Sequence, residues 1–297
     1  MRIIFSLCCF AFIIIFPLSC HRKLMPASAT INLEQTPNNA EPMLLGTCTR
    51  ERLEQQPYGT WFNANYAAYT VDSTVAATLR SGLATKKFMI FMGTWCGDSR
   101  REVPRIFKLF DYCGVKASQI QLVCLSNERA NYKQSPGHEE QGLDIHRVPD
   151  LLVFSNKEEL GRIVESPVAS LEKDLLAILK GQKYKPNYQM VSLMAGLFRR
   201  KTIADLDHNL LNITDRLKPM AKTSAEFNTY GYVLLAAHQT ERARLVFKLN
   251  TLLFPNHANN FISLARFYKN LGKEDLAKEN LLKAIALEPE VIFPVYY

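Results

Sequence analysis

The hydrophobic pattern of the chain changes period several times, and each change predicts an element. Phe88-Met89-Ile90-Phe91-Met92 is a continuous apolar run of strand length, as in a strand covered on both faces. It stops at Gly93-Thr94. Beyond Gly97 the spacing becomes helical, with Ile106, Phe107, Leu109 and Phe110 on one face and an end near Cys113-Gly114. Val71 to Leu83 predicts an earlier helix, and Gln119 to Leu125 a buried central strand. Residues 126–142 are polar and contain Pro136-Gly137, a loop. Val148–Phe154 and Leu160–Val164 read as strands about a turn at Ser155-Asn156-Lys157. A closing helix follows, capped by Ser170, with Leu171, Leu175, Leu176 and Leu179 on one face and Gly181 after its end. The predicted order is β-α-β followed by β-β-α.

After a connector at Lys183–Asn187 the pattern is helical to the end. Phe227, Tyr230, Gly231, Ala243, Phe247 and Pro255 recur 34 residues later as Phe261, Leu264, Ala265, Ala277, Leu281 and Pro289. The period resembles the tetratricopeptide pattern, with a small residue where helices touch and a proline closing the second helix. It implies an all-α helical repeat domain over 188–297, with repeats at about 224–257 and 258–291. Residues 188–222 would form a degenerate third pair capping the stack, because fewer than three units seldom stand alone.

The N-terminus starts Met-Arg, continues with an apolar core of about 14 residues, and ends Pro17-Leu18-Ser19-Cys20. This is the form of a secretory signal over 1–19. Its end resembles the processing site of a bacterial lipoprotein, in which Cys20 is lipidated and becomes the mature N-terminus. The resemblance implies an exported protein on the periplasmic side of a bacterial membrane, held there by a lipid anchor. Residues 20–45, with Pro26, Pro37 and Pro42 among small polar residues, read as a tether. Residues 46–70 carry Tyr58, Trp61, Phe62, Tyr66 and Tyr69 and are expected to pack on the domain that follows.

At 297 residues the chain has room for two domains, and 47% hydrophobic content is that of globular protein. A net charge of +8 could suggest nucleic acid or an anionic surface. There is no zinc-knuckle spacing, aromatic RNA-binding motif or long basic run, so a mildly basic solvated surface, with no nucleic-acid partner, is the reading. No metal-ligand spacing is present, and nothing implies a cofactor.

The candidate chemistry lies at Cys96, where a strand hands over to a helix and the sulfur lies near unpaired backbone N–H groups. A thiolate there is stabilised by those donors and by the positive end of the helix, which makes it a better nucleophile. Trp95-Cys96-Gly97 with Asp98-Ser99 resembles the active-site turn of the thioredoxin superfamily. Pro104, eight residues after Cys96, matches the proline of that family's first active-site helix, and Val148-Pro149 matches its cis-proline. The resemblance implies an α/β thioredoxin-like domain over 46–181, including its N-terminal extension, with Trp95, Cys96, Gly97, Ser99 and Pro149 forming the site. Two departures stand out. Ser99 takes the place of the second, resolving cysteine, and Ile90 stands where many relatives carry a buried acid.

Cys113 lies 17 residues beyond Cys96, about 25 Å along a helix, whereas a disulfide needs Cα atoms within about 7 Å. Cys124 reads as inert core, and Cys48 alone could approach Cys96. Asp98 and the arginines at 100 and 101 influence the site in opposite senses. His146 and Arg147 could touch substrate or simply lie on the surface. Two functions remain open. One is a monothiol thiol–disulfide exchange protein acting on protein substrates with disulfides or thiols, its repeats recruiting a protein partner as an independent module. The other is a non-catalytic adaptor built on a degenerate fold.

Overall fold

The computed structural model describes residues 30–37 and 41–290, so the expected signal and Cys20 lie outside the described residues. The N-terminal part runs β1 (Leu33–Gln35), β2 (Met43–Cys48), α1 (Arg50–Leu53), α2 (Gly59–Ala68), α3 (Ser73–Leu83), β3 (Lys87–Met92) and α4 (Gly97–Cys113). It continues with β4 (Ile120–Cys124), β5 (Asp150–Ser155), β6 (Glu158–Val164) and α5 (Leu171–Leu179). The strands form one mixed sheet in the order β1-β2-β4-β3-β5-β6. β3 and β4 are parallel, with Ile90 opposite Leu122, and the remaining neighbours are antiparallel.

The continuous apolar run in β3 has a direct cause. Phe88, Ile90 and Met92 point to one face, where they pack with Leu79, Phe110 and Leu175 from α3, α4 and α5. Phe91 points to the other, joined by Met89, and there the cover is Ile145 and Val148 of the segment 126–149. Alternation is present but both faces are buried, so no polar residue marks it. The helix starts follow local chemistry. Asp72 accepts from the N–H groups of Thr74 and Val75, and Ser170 accepts from that of Lys173.

The stretch read as a tether to residue 45 is partly sheet. Met43, Leu44 and Leu45 are buried in β2, which pairs with β4 so that Gly46 faces Cys124. An apolar triplet among Pro and Asn residues is too short to display a period, which is why the composition hid it. Tyr58 and Phe62 of the aromatic extension pack into the core as expected, with Phe62 6.0 Å from Phe107 between ring centroids.

The C-terminal part is helical. α6 (Gln189–Arg200), α7 (Ile203–His208) and α8 (Leu210–Leu217) precede the helix pairs α9 (Ala225–Ala236) with α10 (Thr240–Leu253) and α11 (Ala258–Asn270) with α12 (Glu274–Leu287). Residues 188–222 thus make three helices rather than a capping pair, the chain turning at Asn209. The periodic positions Tyr230 and Leu264, and Ala243 and Ala277, are buried in equivalent places. Gly231 is small for a reason: a Cβ there would meet the Phe247 ring at 2.5 Å.

The two parts are not independent. Arg147 donates to the Ala225 carbonyl at 3.0 Å, Arg199 pairs with Asp144 at 2.5 Å, and Asn187 donates to the Ser166 carbonyl at 3.0 Å. The His146 ring lies 5.8 Å from those of both Tyr188 and Tyr230. The helices are therefore docked on segment 126–149, and the connector does not separate two free modules. Filling the α9–α10 contact should show its tightness. Gly231→Val is expected to destabilise the chain by about 1–3 kcal/mol through overpacking against Phe247. Urea unfolding followed at 222 nm reads this, and an unchanged midpoint would contradict the packing.

Candidate functional site

The turn from β3 to α4 is assembled from several directions. Thr94 is fully buried, and its hydroxyl accepts from the Leu44 N–H of β2 at 3.2 Å. The Trp95 indole donates to the Leu125 carbonyl at 2.8 Å and lies against Gly93, where a Cβ would meet the ring at 2.5 Å. Only glycine permits that approach. Ser99, also fully buried, accepts from the Gly93 N–H through its Oγ at 3.2 Å. Ser99 therefore closes the turn and does not face solvent.

Cys96 is the N-cap of α4, extended in backbone and half-buried. Its carbonyl accepts the Arg100 N–H at 2.9 Å, which leaves its sulfur beside the first turn. The thiol donates to the Val148 carbonyl at 3.3 Å, and the peptide between Val148 and Pro149 is cis. Gly97 is exposed, and a Cβ there would meet nothing within 4 Å. The sulfur is thus approachable from the Gly97 side. Trp95, Cys96, Gly97, Ser99 and Pro149 are brought together as the sequence pattern suggested. Cys113 is buried far along α4, and burial raises its thiol. Cys48 does not reach Cys96. It sits in β2 opposite Leu122 and touches Cys124, whose thiol burial and that neighbour push well up. Among the described residues the four cysteines are free thiols, and Cys96 is the one that is not buried.

The arginines near the turn are engaged in ion pairs. Arg100 donates to the Thr94 carbonyl at 2.6 Å and pairs with Glu41 at 2.7 Å, while Arg101 bridges Asp98 at 2.8 Å and buried Glu102 at 2.7 Å.

Other charged groups beside the turn escaped the sequence reading. Lys133 is buried, donates to the His146 carbonyl at 2.7 Å, and is an electrostatic neighbour of the Cys96 sulfur. Burial, with nearby Arg147, pushes its ammonium down to about 8, against the pull of Cys96 and Glu165. His146, far from touching substrate, is fully enclosed. Burial lowers it to about 3, helped by the cations Lys133, Arg147 and Arg162 and opposed by its bond to the Asp144 carbonyl. Its Nε2 has no hydrogen-bond partner. Arg147 is committed to Glu165 at 3.3 Å and to the helical part, with the Tyr188 hydroxyl on the same carboxylate.

Ile90 leaves no acid on the helix-covered face, yet a buried acid exists on the other. Asp150 pairs with Phe91 in register and so shares the face on which Cys96 packs. Burial raises it to about 7, although Arg162 at 3.2 Å favours its charged form. No periodicity marks Lys133 or Asp150 as buried. The one sequence cue was the position of Asp150, directly after Pro149. Among the described residues no group of three or more His, Cys, Asp or Glu is placed to hold a metal ion, and no helix is long and apolar enough to cross a membrane. The chain matches no protein-family model, no curated protein and no solved structure.

His146 and Asp150 oppose each other in acid. Neutral His146 has its folded value below the unfolded one, so its contribution is present above about pH 6.5 and is lost as pH falls. Asp150 has its folded value raised, so its contribution is present in acid and is lost as pH rises through about 7. Between pH 7 and 5, His146→Gln should gain about 2 kcal/mol of unfolding free energy relative to wild type, and Asp150→Asn should lose about 2 kcal/mol. Urea titrations at the two pH values measure both, and shifts of the same sign would refute this pairing.

Proposed function

We propose that the chain is a monothiol thiol–disulfide exchange protein, with Cys96 as its nucleophile on a thioredoxin-like domain and with tetratricopeptide-type helices beside it. The observation that carries the reading is the position of Cys96. It is a half-exposed thiol at a helix N-terminus, facing the cis Val148–Pro149 peptide, while the other described cysteines are buried. The parallel β3–β4 pair joined through α4, with antiparallel β5 and β6, supports the fold assignment. The helix pairs α9–α10 and α11–α12, in a 34-residue register (Thr240 against Glu274), support the repeats.

In the reaction, the Cys96 thiolate attacks one sulfur of a substrate disulfide. The substrate S–S bond breaks, its other sulfur leaves as a thiolate that takes up a proton, and a mixed disulfide with Cys96 remains. The sulfur lies at the first turn of α4 and has the buried Lys133 ammonium as an electrostatic neighbour. Ser99 is an alcohol held on Gly93 and cannot displace the bond, so release requires a thiol of the substrate, of a partner or of a small molecule. Ser99 also favours a second reading, an adaptor in which the turn is purely structural. We further propose that the protein is exported and lipid-anchored through Cys20, on the strength of the N-terminal pattern.

Acid-quenched, alkylated extracts should show covalent adducts on non-reducing gels that dithiothreitol removes. Cys96→Ser should abolish them, Cys113→Ser and Cys124→Ser should not, and Ser99→Cys should shorten their lifetime. Adducts indifferent to Cys96→Ser leave the adaptor reading. Mass spectrometry of the mature N-terminus should find lipid on Cys20 and none in Cys20→Ala. An unmodified start elsewhere refutes the anchor.

A further inference from the structure

Two of the buried cysteines belong to neighbouring strands and to one face of the sheet. In the antiparallel β2–β4 pair Gly46 faces Cys124 and Cys48 faces Leu122, so the two cysteines are diagonal neighbours across the ladder. Both lie in the cluster covered by the helices. The Cys48 side chain leans back along its strand, where its Sγ donates to the Gly46 carbonyl at 3.3 Å. That puts the sulfur beside the residue opposite Cys124, and Gly46 has no side chain to stand between them. The two thiols interact directly, and burial with that contact pushes the Cys124 thiol well up. Their access differs. Cys124 is fully buried, whereas Cys48 lines a cleft of about 480 Å³ with Arg50, Phe107, Val115 and Leu122. Gly46 also leaves β2 room to adjust: its φ is 70°, and a Cβ there would meet nothing nearer than 3.7 Å.

We propose that Cys48 and Cys124 form a reversible disulfide that staples β2 to β4, a second thiol–disulfide couple that makes no use of Cys96. The oxidant is a small-molecule disulfide of the glutathione type, entering by the cleft. The Cys48 thiolate attacks one of its sulfurs, the S–S bond breaks, and the other sulfur leaves as a thiolate that takes up the Cys48 proton. The Cys124 sulfur then attacks that of Cys48, and its proton passes to the second departing thiolate. The pair is oxidised by two electrons, and the small disulfide is reduced to two thiols. The strands so joined are the two that fix the Cys96 turn. The Leu44 N–H of β2 bonds Thr94, and the Leu125 carbonyl, directly after β4, holds the Trp95 indole. The new bond closes a long loop, which stabilises the fold by restricting the unfolded chain.

The full chain and its Cys96→Ser variant are incubated with mixtures of oxidised and reduced glutathione, quenched in acid, alkylated in denaturant and digested. Peptide mass spectrometry should find Cys48 linked to Cys124 in both chains when oxidised glutathione is in excess, and dithiothreitol should remove the link. Cys124→Ala should instead hold glutathione on Cys48 as a stalled mixed disulfide. Oxidation should raise the thermal midpoint of Cys96→Ser by at least about 5 °C. The same treatment should leave the midpoint of Cys96→Ser with Cys48→Ala unchanged.

Glutathione on Cys48 of the wild type with Cys124 still a free thiol overturns the proposal, as does failure of either residue to oxidise. A link lost in Cys96→Ser overturns it too, since the first step would then belong to Cys96. A link that forms without raising the midpoint refutes the staple. The exchange chemistry of Cys96 is read from its own adducts, so it stands or falls separately from the bond between β2 and β4.

Discussion

The structure depends on one closed hydrogen-bonded turn. Gly93 N–H to Ser99 Oγ, Leu44 N–H to Thr94 Oγ1, and the Trp95 indole to the Leu125 carbonyl tie α4, β2 and the end of β4 to three consecutive residues, Gly93, Thr94 and Trp95. Each bond contributes only about 1 kcal/mol net, but a buried donor left without a partner costs more, so the groups hold one another in place. The consequence for Cys96 is a fixed sulfur position, set by three elements and not by its own rotamer alone. The consequence for Ser99 is that its oxygen is already committed. A hydroxyl serves Gly93 better than a thiol would, so the residue that stiffens the turn is also the one that withholds a second sulfur.

The sheet's two faces have different jobs. One is sealed by helices over an apolar core; the other is sealed by the irregular segment 126–149, which brings buried Lys133 and His146 with it. Segments without ladder partners must satisfy their backbone with side chains, and the Lys133 bond to the His146 carbonyl does that here. The cost is a concentration of cations (Lys133, Arg147 and Arg162) in low dielectric, balanced by Glu165, Glu159 and Asp150. A buried ion pair that loses one partner is strongly destabilising. This half of the sheet is therefore where charge and shape are most tightly coupled, and it is the half on which Cys96 packs.

Much of this was legible in the sequence, and what was missed has identifiable causes. The strand at 88–92, the helix from Cys96 to Cys113, the Ser170 cap and the Gly231 contact follow from periods and side-chain sizes that act over short range. β2 was missed because three apolar residues in a polar stretch show no period, and only pairing with β4 makes them a strand. The burial of Lys133 and Asp150 was invisible for a different reason. Lys133 lies on no apolar face of a regular element, Asp150 opens its strand as a lone acid before an apolar run, and both are enclosed by residues more than ten positions away. The split of residues 188–222 into three helices turned on Asn209, an ordinary polar residue in the sequence. The separation expected at the connector Lys183–Asn187 was a statement about composition, whereas docking is set by Arg147, Tyr188 and Tyr230 across it.

That docking bears on how the site is reached. Approach to Cys96 through the sheet is blocked by packing, and the covering segment blocks its own side with Val148 and Ile145. The open direction is over Gly97 and past Trp95 and Tyr132, toward the faces of α9 and α11. The helical part is held there by Arg147 and by the edge-on contacts of the His146 ring with Tyr188 and Tyr230. Loosening that contact would uncover His146, which burial holds neutral, and its charging below about pH 6.5 would oppose re-docking. The relative placement of turn and helices is thus maintained by buried groups whose partners lie far from them along the chain.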